Sequence, residues 1–174
     1  LALHQRSKIV DLLHAYNHQD CKGASTPLEP GSHPTKEDCP KTDEEKADMA
    51  STPYRALIGS LNHIAGATRF DIAHAVSVLA QFSANPGQVH WKACLHVLRY
   101  LKATQGHMIV YGRQQPDSNS IHSPLQGYVD ASHGDCRDTR RSTTWHIFVS
   151  HSGPIEWCSR KQNAVSLSSC ESEL

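Results

Sequence analysis

The chain has 174 residues, 38% of them hydrophobic and few aromatic, with 17 basic and 17 acidic side chains and a formal net charge of zero. Such a length suits one ordinary domain or two small ones, and the balanced charge excludes a global field that would announce a polyanion partner. No apolar run approaches the ~18 residues that would span a bilayer, so no membrane partner is expected.

The N-terminus, LALHQRSKIV, has no initiator Met and lacks the apolar block and cleavage site of a signal peptide, so a piece of a longer chain is expected. Residues 3–16 place Ile9, Leu12, Leu13 and Tyr16 at helical spacing and predict a helix fading at Asn17. Residues 24–50 read as an extended linker, rich in Pro, Ser and Gly, with an acid-rich solvated stretch over 36–48. Ser51-Thr52-Pro53 predicts a helix start, with a hydroxyl cap followed by Pro where its missing N–H is harmless. That helix turns Leu57, Ile58, Leu61, Ile64 and Ala65 inward and stops near Gly66. A second runs from about Asp71 with Ile72, Ala75, Val76, Leu79 and Phe82 on one face, and Asn85-Pro86-Gly87 breaks it. A third spans about Gln88 to Ala103, with Trp91, Cys94, Leu95, Leu98 and Leu101 inward. Three amphipathic helices with short joints predict a small bundle.

From residue 107 the texture changes. HMIVYG reads as a strand, residues 113–124 as a polar loop, and LQGYVDAS as a strand ending near Asp130. SHGDCRDTRR is a tight polar turn, STTWHIFVS a strand, His151–Pro154 a hairpin turn and IEWCSRKQ a third strand, before a helix that begins in SSCESEL. Strands after helices give an α+β class: a small helical bundle, then a three-stranded sheet with the start of a helix.

Basic residues predominate from Trp91 onward (Lys92, Arg99, Lys102, Arg113, Arg137, Arg140, Arg141, Arg160 and Lys161), a hint of a phosphate-facing surface that, on composition alone, ordinary surface charge explains better. The six cysteines show no CxxC pair and fit reduced intracellular thiols better than a disulfide framework. Among the 13 histidines, His14 and His18 lie near Cys21 and raise a zinc reading, weakened by the absence of a second paired ligand set, since Cys39 stands alone.

Acid groups carry the sharper chemistry. Asp130 ends an otherwise apolar or small strand, and Glu173 sits in the first turn of a helix. Carboxylates brought together from a strand end and a helix can hold Mg²⁺, and two such ions ~4 Å apart can drive phosphodiester cleavage. Spacing alone makes this a weak signal, because the chain has 17 acids. The two glutamates separate physically. Ser168-x-x-Glu171 has capping-box spacing, which predicts that Glu171 folds back on the Ser168 N–H. Glu173, two residues on, is turned ~200° about the helix axis and faces the other way. Turn chemistry accounts for Asp135 and Asp138, and Glu156 reads as surface.

The segments YRALIGSLNHIAGATRFDIAHAVSVLAQF, HWKACLHVLRYLKAT, GYVDASHGDCRDTRRSTT, GPIEWCSRKQ and AVSLSSCESEL occur in an order and spacing that resembles the copia-type LTR retrotransposon polyprotein. They match the region where reverse transcriptase passes into ribonuclease H. The resemblance implies four parts: residues 1–23 leading out of the polymerase palm, 24–50 a linker, 51–106 a thumb or connection-like helical region, and 107–174 an incomplete ribonuclease H-like domain. It implies that Asp130, in GY-x-DA, and Glu173, in CESE, are catalytic metal ligands, while Glu171 is not. It also implies Mg²⁺ as cofactor, two ions in the complete parent, and RNA–DNA hybrid and template–primer duplex as partners beside the remainder of the polyprotein. Arg140 and Arg141 of the DTRRST turn are candidates for phosphate contact, against a purely structural turn. An intracellular location follows, in a cytoplasmic particle or the nucleus.

The chain departs from that family at Phe70, where Pro is usual, at Trp145, where a small residue is usual, and at His146 and His133, where aromatics are usual. A buried Trp145 would overpack its surroundings at ~1–3 kcal/mol. These departures predict a diverged or decaying copy. The resemblance places the polymerase aspartates upstream of Leu1 and further ribonuclease H acids after Leu174, so the isolated chain is expected neither to bind Mg²⁺ tightly nor to cleave. Two alternatives stand beside this: a non-catalytic nucleic-acid-binding remnant, and a zinc-stabilised structural protein using His14, His18 and Cys21.

Overall fold

The computed structural model describes residues 1–112 and 125–173, so the loop predicted over 113–124 lies outside the described residues. The chain divides into two compact units. Gln5–His107 forms one, and the described residues of Leu1–His4 and Met108–Leu174 form the other. No helix among the described residues is long and apolar enough to cross a membrane.

The first unit is helical: α1 (Arg6–Ala15), α2 (Asp43–Ala50), α3 (Tyr54–Ala67), α4 (Ala73–Ala80) and α5 (Gln88–Ala103). The predicted stripes are its core. Ile9, Leu12 and Leu13 of α1 join Leu57, Leu61 and Ile64 of α3, Ala75, Val76 and Leu79 of α4, and Cys94, Leu98 and Leu101 of α5 in one buried cluster. Trp91 and Leu95, expected inward, are partly buried against it. The Tyr54 hydroxyl donates to the Leu79 carbonyl at 2.8 Å and ties α3 to α4.

Two helix starts differ from expectation. The stretch expected to be extended contains α2, because Thr42 and Glu45 form a capping box. Thr42 Oγ1 accepts the Glu45 N–H at 3.2 Å, and Glu45 Oε2 accepts the Lys41 and Thr42 N–H groups at 2.7 and 3.1 Å. Only Met49 of α2 is buried, which is why periodicity does not reveal it. At α3 neither Ser51 nor Thr52 caps: Pro53 itself is the N-cap residue and no side chain bonds there.

A buried polar cluster locks the α3–α4 joint to the end of α5. Arg69, 1% exposed, donates from Nε and Nη2 to the Asp71 carboxylate and from Nη1 to the Thr104 carbonyl at 3.1 Å. The Tyr100 hydroxyl donates to Asp71 Oδ2 at 2.8 Å. At the other end of α5, His90 is fully buried; its Nδ1 accepts the Gly87 N–H at 2.9 Å and its Nε2 lies 3.0 Å from the Thr35 carbonyl. Only glycine fits at 87, since a Cβ would stand 2.0 Å from the Asp38 carbonyl oxygen.

The second unit is built on sheets. β1 (Ala2–Leu3) pairs antiparallel with β2 (Ile109–Val110), so Leu3 is strand rather than helix. β3 (Leu125–Ser132), β4 (Thr143–Ser150) and β5 (Gly153–Lys161) form an antiparallel meander in that order, followed by the short α6 (Ser169–Ser172). His151 and Ser152, both at positive φ (50° and 67°), make the tight β4–β5 turn. Gly127 opposes Phe148, whose ring would meet a Cβ there at 2.8 Å. The mixed helix and sheet content is α+β.

Candidate functional site

β3 is an edge strand of the meander, so alternate backbone N–H groups point away from β4. Asp130 lies on this strand directly opposite Trp145, and Ala131 opposite Thr144. Side chains alternate along a strand, so Asp130 and Trp145 share one face and Ala131 and Thr144 the other.

Asp130 is exposed, and its Oδ2 accepts the Trp145 indole Nε1–H at 2.9 Å. Trp145 is 41% exposed, so the overpacking expected of a buried tryptophan does not arise.

The two glutamates of the final helix take separate tasks. Ser168 caps α6, its Oγ accepting the Glu171 N–H at 3.1 Å. Glu171 Oε2 accepts the Leu167 N–H at 2.7 Å, one residue before the N–H the capping box predicts. Glu173 is exposed and turns to the sheet, where its Oε1 accepts the Ala131 N–H at 3.3 Å. Glu173 therefore reaches the peptide joining Asp130 to Ala131.

Gln162, which the sequence did not single out, anchors this helix. Its Nε2 donates to Thr144 Oγ1 at 2.7 Å and to the Ser172 carbonyl at 2.6 Å, and its Oε1 accepts from Ser166 Oγ at 3.1 Å. Ser172 is 1% exposed. The only sequence signal was a glutamine ending a strand before a serine-rich run.

Arg140 and Arg141 lie exposed in the β3–β4 turn. That turn is closed by backbone bonds, the Arg140 N–H to the Cys136 carbonyl at 2.7 Å and the Cys136 N–H to the Arg141 carbonyl at 3.2 Å. Arg140 takes a positive φ of 55°. Asp135 accepts from Thr143 Oγ1 at 3.1 Å, in keeping with a turn role, and Glu156 pairs with His146 at 2.9 Å on the surface. Within the same turn, Cys136 Sγ receives Lys161 Nζ at 2.8 Å and Thr139 Oγ1 at 3.1 Å. Burial pushes this thiol up, but the Lys161 ammonium and the Thr139 donors bring it below the ordinary cysteine value.

Among the described residues, no group of three or more His, Cys, Asp or Glu side chains comes together to hold a metal ion. The structure therefore does not bring His14, His18 and Cys21 together as a metal-holding group. Instead, His18 Nδ1 lies 2.7 Å from the Tyr16 carbonyl at the end of α1.

No family model matches the chain, and no solved structure matches it. Over 173 residues it is 40% identical to the retrovirus-related Pol polyprotein from transposon TNT 1-94 of Nicotiana tabacum, a match covering 99% of this chain and 12% of that protein. Over 175 residues it is 35% identical to the Pol polyprotein from transposon RE1 of Arabidopsis thaliana, covering 99% of this chain and 11% of that protein. It is also 38% identical over 125 residues to the secreted RxLR effector protein 161 of Plasmopara viticola, covering 72% of this chain and 84% of that protein. The chain thus spans a small part of the Pol polyproteins it matches.

Proposed function

Because the chain belongs to the copia-type retrotransposon Pol polyproteins, we propose that it is the part of such a polyprotein where reverse transcriptase runs into ribonuclease H. The observation that carries this is the delivery of Glu173 from a capped helix to the β3 peptide beside Asp130. A helix-borne carboxylate then reaches the sheet edge at the residue that follows a strand-borne one. Asp130 and Glu173 fit a divalent cation in kind, since Mg²⁺ prefers carboxylate oxygen and keeps several waters. They fall short of a complete set in number. In the whole polyprotein these two side chains would hold Mg²⁺ together with further acids, and the bound ion would activate water to cut RNA paired with DNA.

Each protein group has a stated part. Asp130 and Glu173 supply oxygens. Gln162 and Ser168 hold α6 so that Glu173 reaches the sheet. Arg140 and Arg141, exposed on the β3–β4 turn, would meet backbone phosphates, and the helical unit would bind the template–primer duplex. The isolated chain is inactive on this account.

The test is a chimera in which this chain replaces its counterpart in the TNT 1-94 polyprotein. Mg²⁺-dependent cleavage of RNA in a hybrid is expected, with Asp130→Asn and Glu173→Gln each abolishing cleavage while hybrid binding persists. Cleavage that survives both substitutions would sink the assignment. Salt-dependent binding without any cleavage would favour a non-catalytic binding remnant, which the hydrogen-bonded state of both carboxylates supports.

A further inference from the structure

Trp145 stands on β4 beside the candidate ligand Asp130. The β3–β4 register sets it directly opposite Asp130, so both side chains leave the sheet on the same face at neighbouring points. The indole can only donate, and it donates to Asp130 Oδ2 at 2.9 Å. A donor and a cation compete for the same carboxylate oxygen, because each seeks its negative charge. The ring also stands beside the carboxylate, where a cation that keeps several waters needs room.

We propose that Trp145 withholds Asp130 from divalent cations: its indole N–H holds Oδ2, and an arriving ion must displace the indole or, on Oδ1, draw off the negative charge that the indole N–H holds. Among the described residues, Oδ1 has no hydrogen-bond partner. Glu173 is held less closely, its Oε1 accepting the Ala131 N–H at 3.3 Å. The proposal rests on the reading of Asp130 as a cation ligand. A hydrogen bond that merely oriented the carboxylate would support binding, and its removal would weaken affinity. The sign of the change therefore separates withholding from orientation.

The experiment is a Mn²⁺ titration of the ¹⁵N-labelled chain, following paramagnetic broadening of the Asp130 and Ala131 amides in the unsubstituted protein, Trp145→Phe, Trp145→Gly and Asp130→Asn. Trp145→Phe keeps a ring and removes the donor. Affinity at Asp130 is expected to tighten by about three- to tenfold in Trp145→Phe, the size of one exposed charge-assisted hydrogen bond no longer competing. It should tighten at least as much in Trp145→Gly and vanish in Asp130→Asn. In the unsubstituted chain, a parallel Mg²⁺ titration should shift the Trp145 indole N–H signal as the ion arrives, an independent readout should a variant fail to fold. Equal or weaker binding in Trp145→Phe, or an indole signal indifferent to Mg²⁺, overturns the proposal while leaving Asp130 a ligand if Asp130→Asn still abolishes binding. No binding in any form overturns both the proposal and the reading of Asp130 beneath it.

Discussion

The two units are held together by different physics. In the helical unit, one apolar cluster runs from Ile9 to Leu101, with Leu57, Leu61, Leu98 and Leu101 at 0% exposure. In the other unit, Ile109 is the one buried apolar side chain among the described residues, while Val129, Ile155 and Leu167 stand exposed. What is buried there is polar: Ser142, Thr143, Ser166 and Ser172. That unit depends on the β3–β4–β5 ladder and on side-chain bonds such as those of Gln162. The difference teaches that a hydrophobic count measures the first unit well and the second poorly. The candidate site lies on the second, where single hydrogen bonds decide side-chain placement.

Four substitutions test that contrast. The largest effect is expected from Arg69→Ala. Removing the guanidinium leaves the Asp71 carboxylate half-buried without its main partner, a loss of about 3–5 kcal/mol of unfolding free energy by urea titration. Asp71 also sets a pH dependence. Burial pushes its carboxyl up, but the Arg69 guanidinium and the Tyr100 hydroxyl hold it below its ordinary value. A depressed carboxyl stabilises the fold above its unfolded pKa and loses that contribution as pH falls through the folded one. Stability should therefore drop below about pH 4, and Arg69→Ala should flatten the drop.

Next comes Leu61→Ala, which opens a cavity in the apolar cluster and should cost about 2–5 kcal/mol. Val129→Ala on the exposed sheet face should stay within about 0.5 kcal/mol. Comparable losses at both positions would show that the sheet face is covered in solution.

The smallest effect is local and concerns two cysteines. Burial in the helical core pushes Cys94 up to about 12, whereas the Cys136 thiol is brought down beside Lys161 and Thr139. Iodoacetamide mapping by mass spectrometry should find Cys94 unmodified in the folded protein. It should find the Cys136 alkylation rate rising at lower pH in the folded protein than in the urea-unfolded chain, and Lys161→Met should move that rise upward.

Much of the helical unit was legible because burial repeats with the helix. Ile9, Leu12 and Leu13, and the stripes of α3 to α5, announce one apolar face each. Helix α2 was missed because its cause is a cap, Thr42 with Glu45, and not a stripe. The pairing of Ala2 and Leu3 with Val110 and Ile109 joins residues more than a hundred positions apart, which local pattern cannot report. At the site, capping arithmetic separated Glu171 from Glu173, and the structure gives them different partners. The partner of Glu171 was off by one residue, since the carboxylate reaches Leu167 rather than Ser168.

Residue order alone establishes which residues repeat with period 3.6 or 2, where hydroxyls can cap, and that the two glutamates face apart, because these follow from the geometry of a single element. That Trp145 stands against Asp130, that Gln162 holds α6 and that Glu173 reaches the Ala131 peptide come from the folded chain. Each of these depends on the register between strands or on the docking of a helix. A shift of one residue would send every side chain to the opposite face.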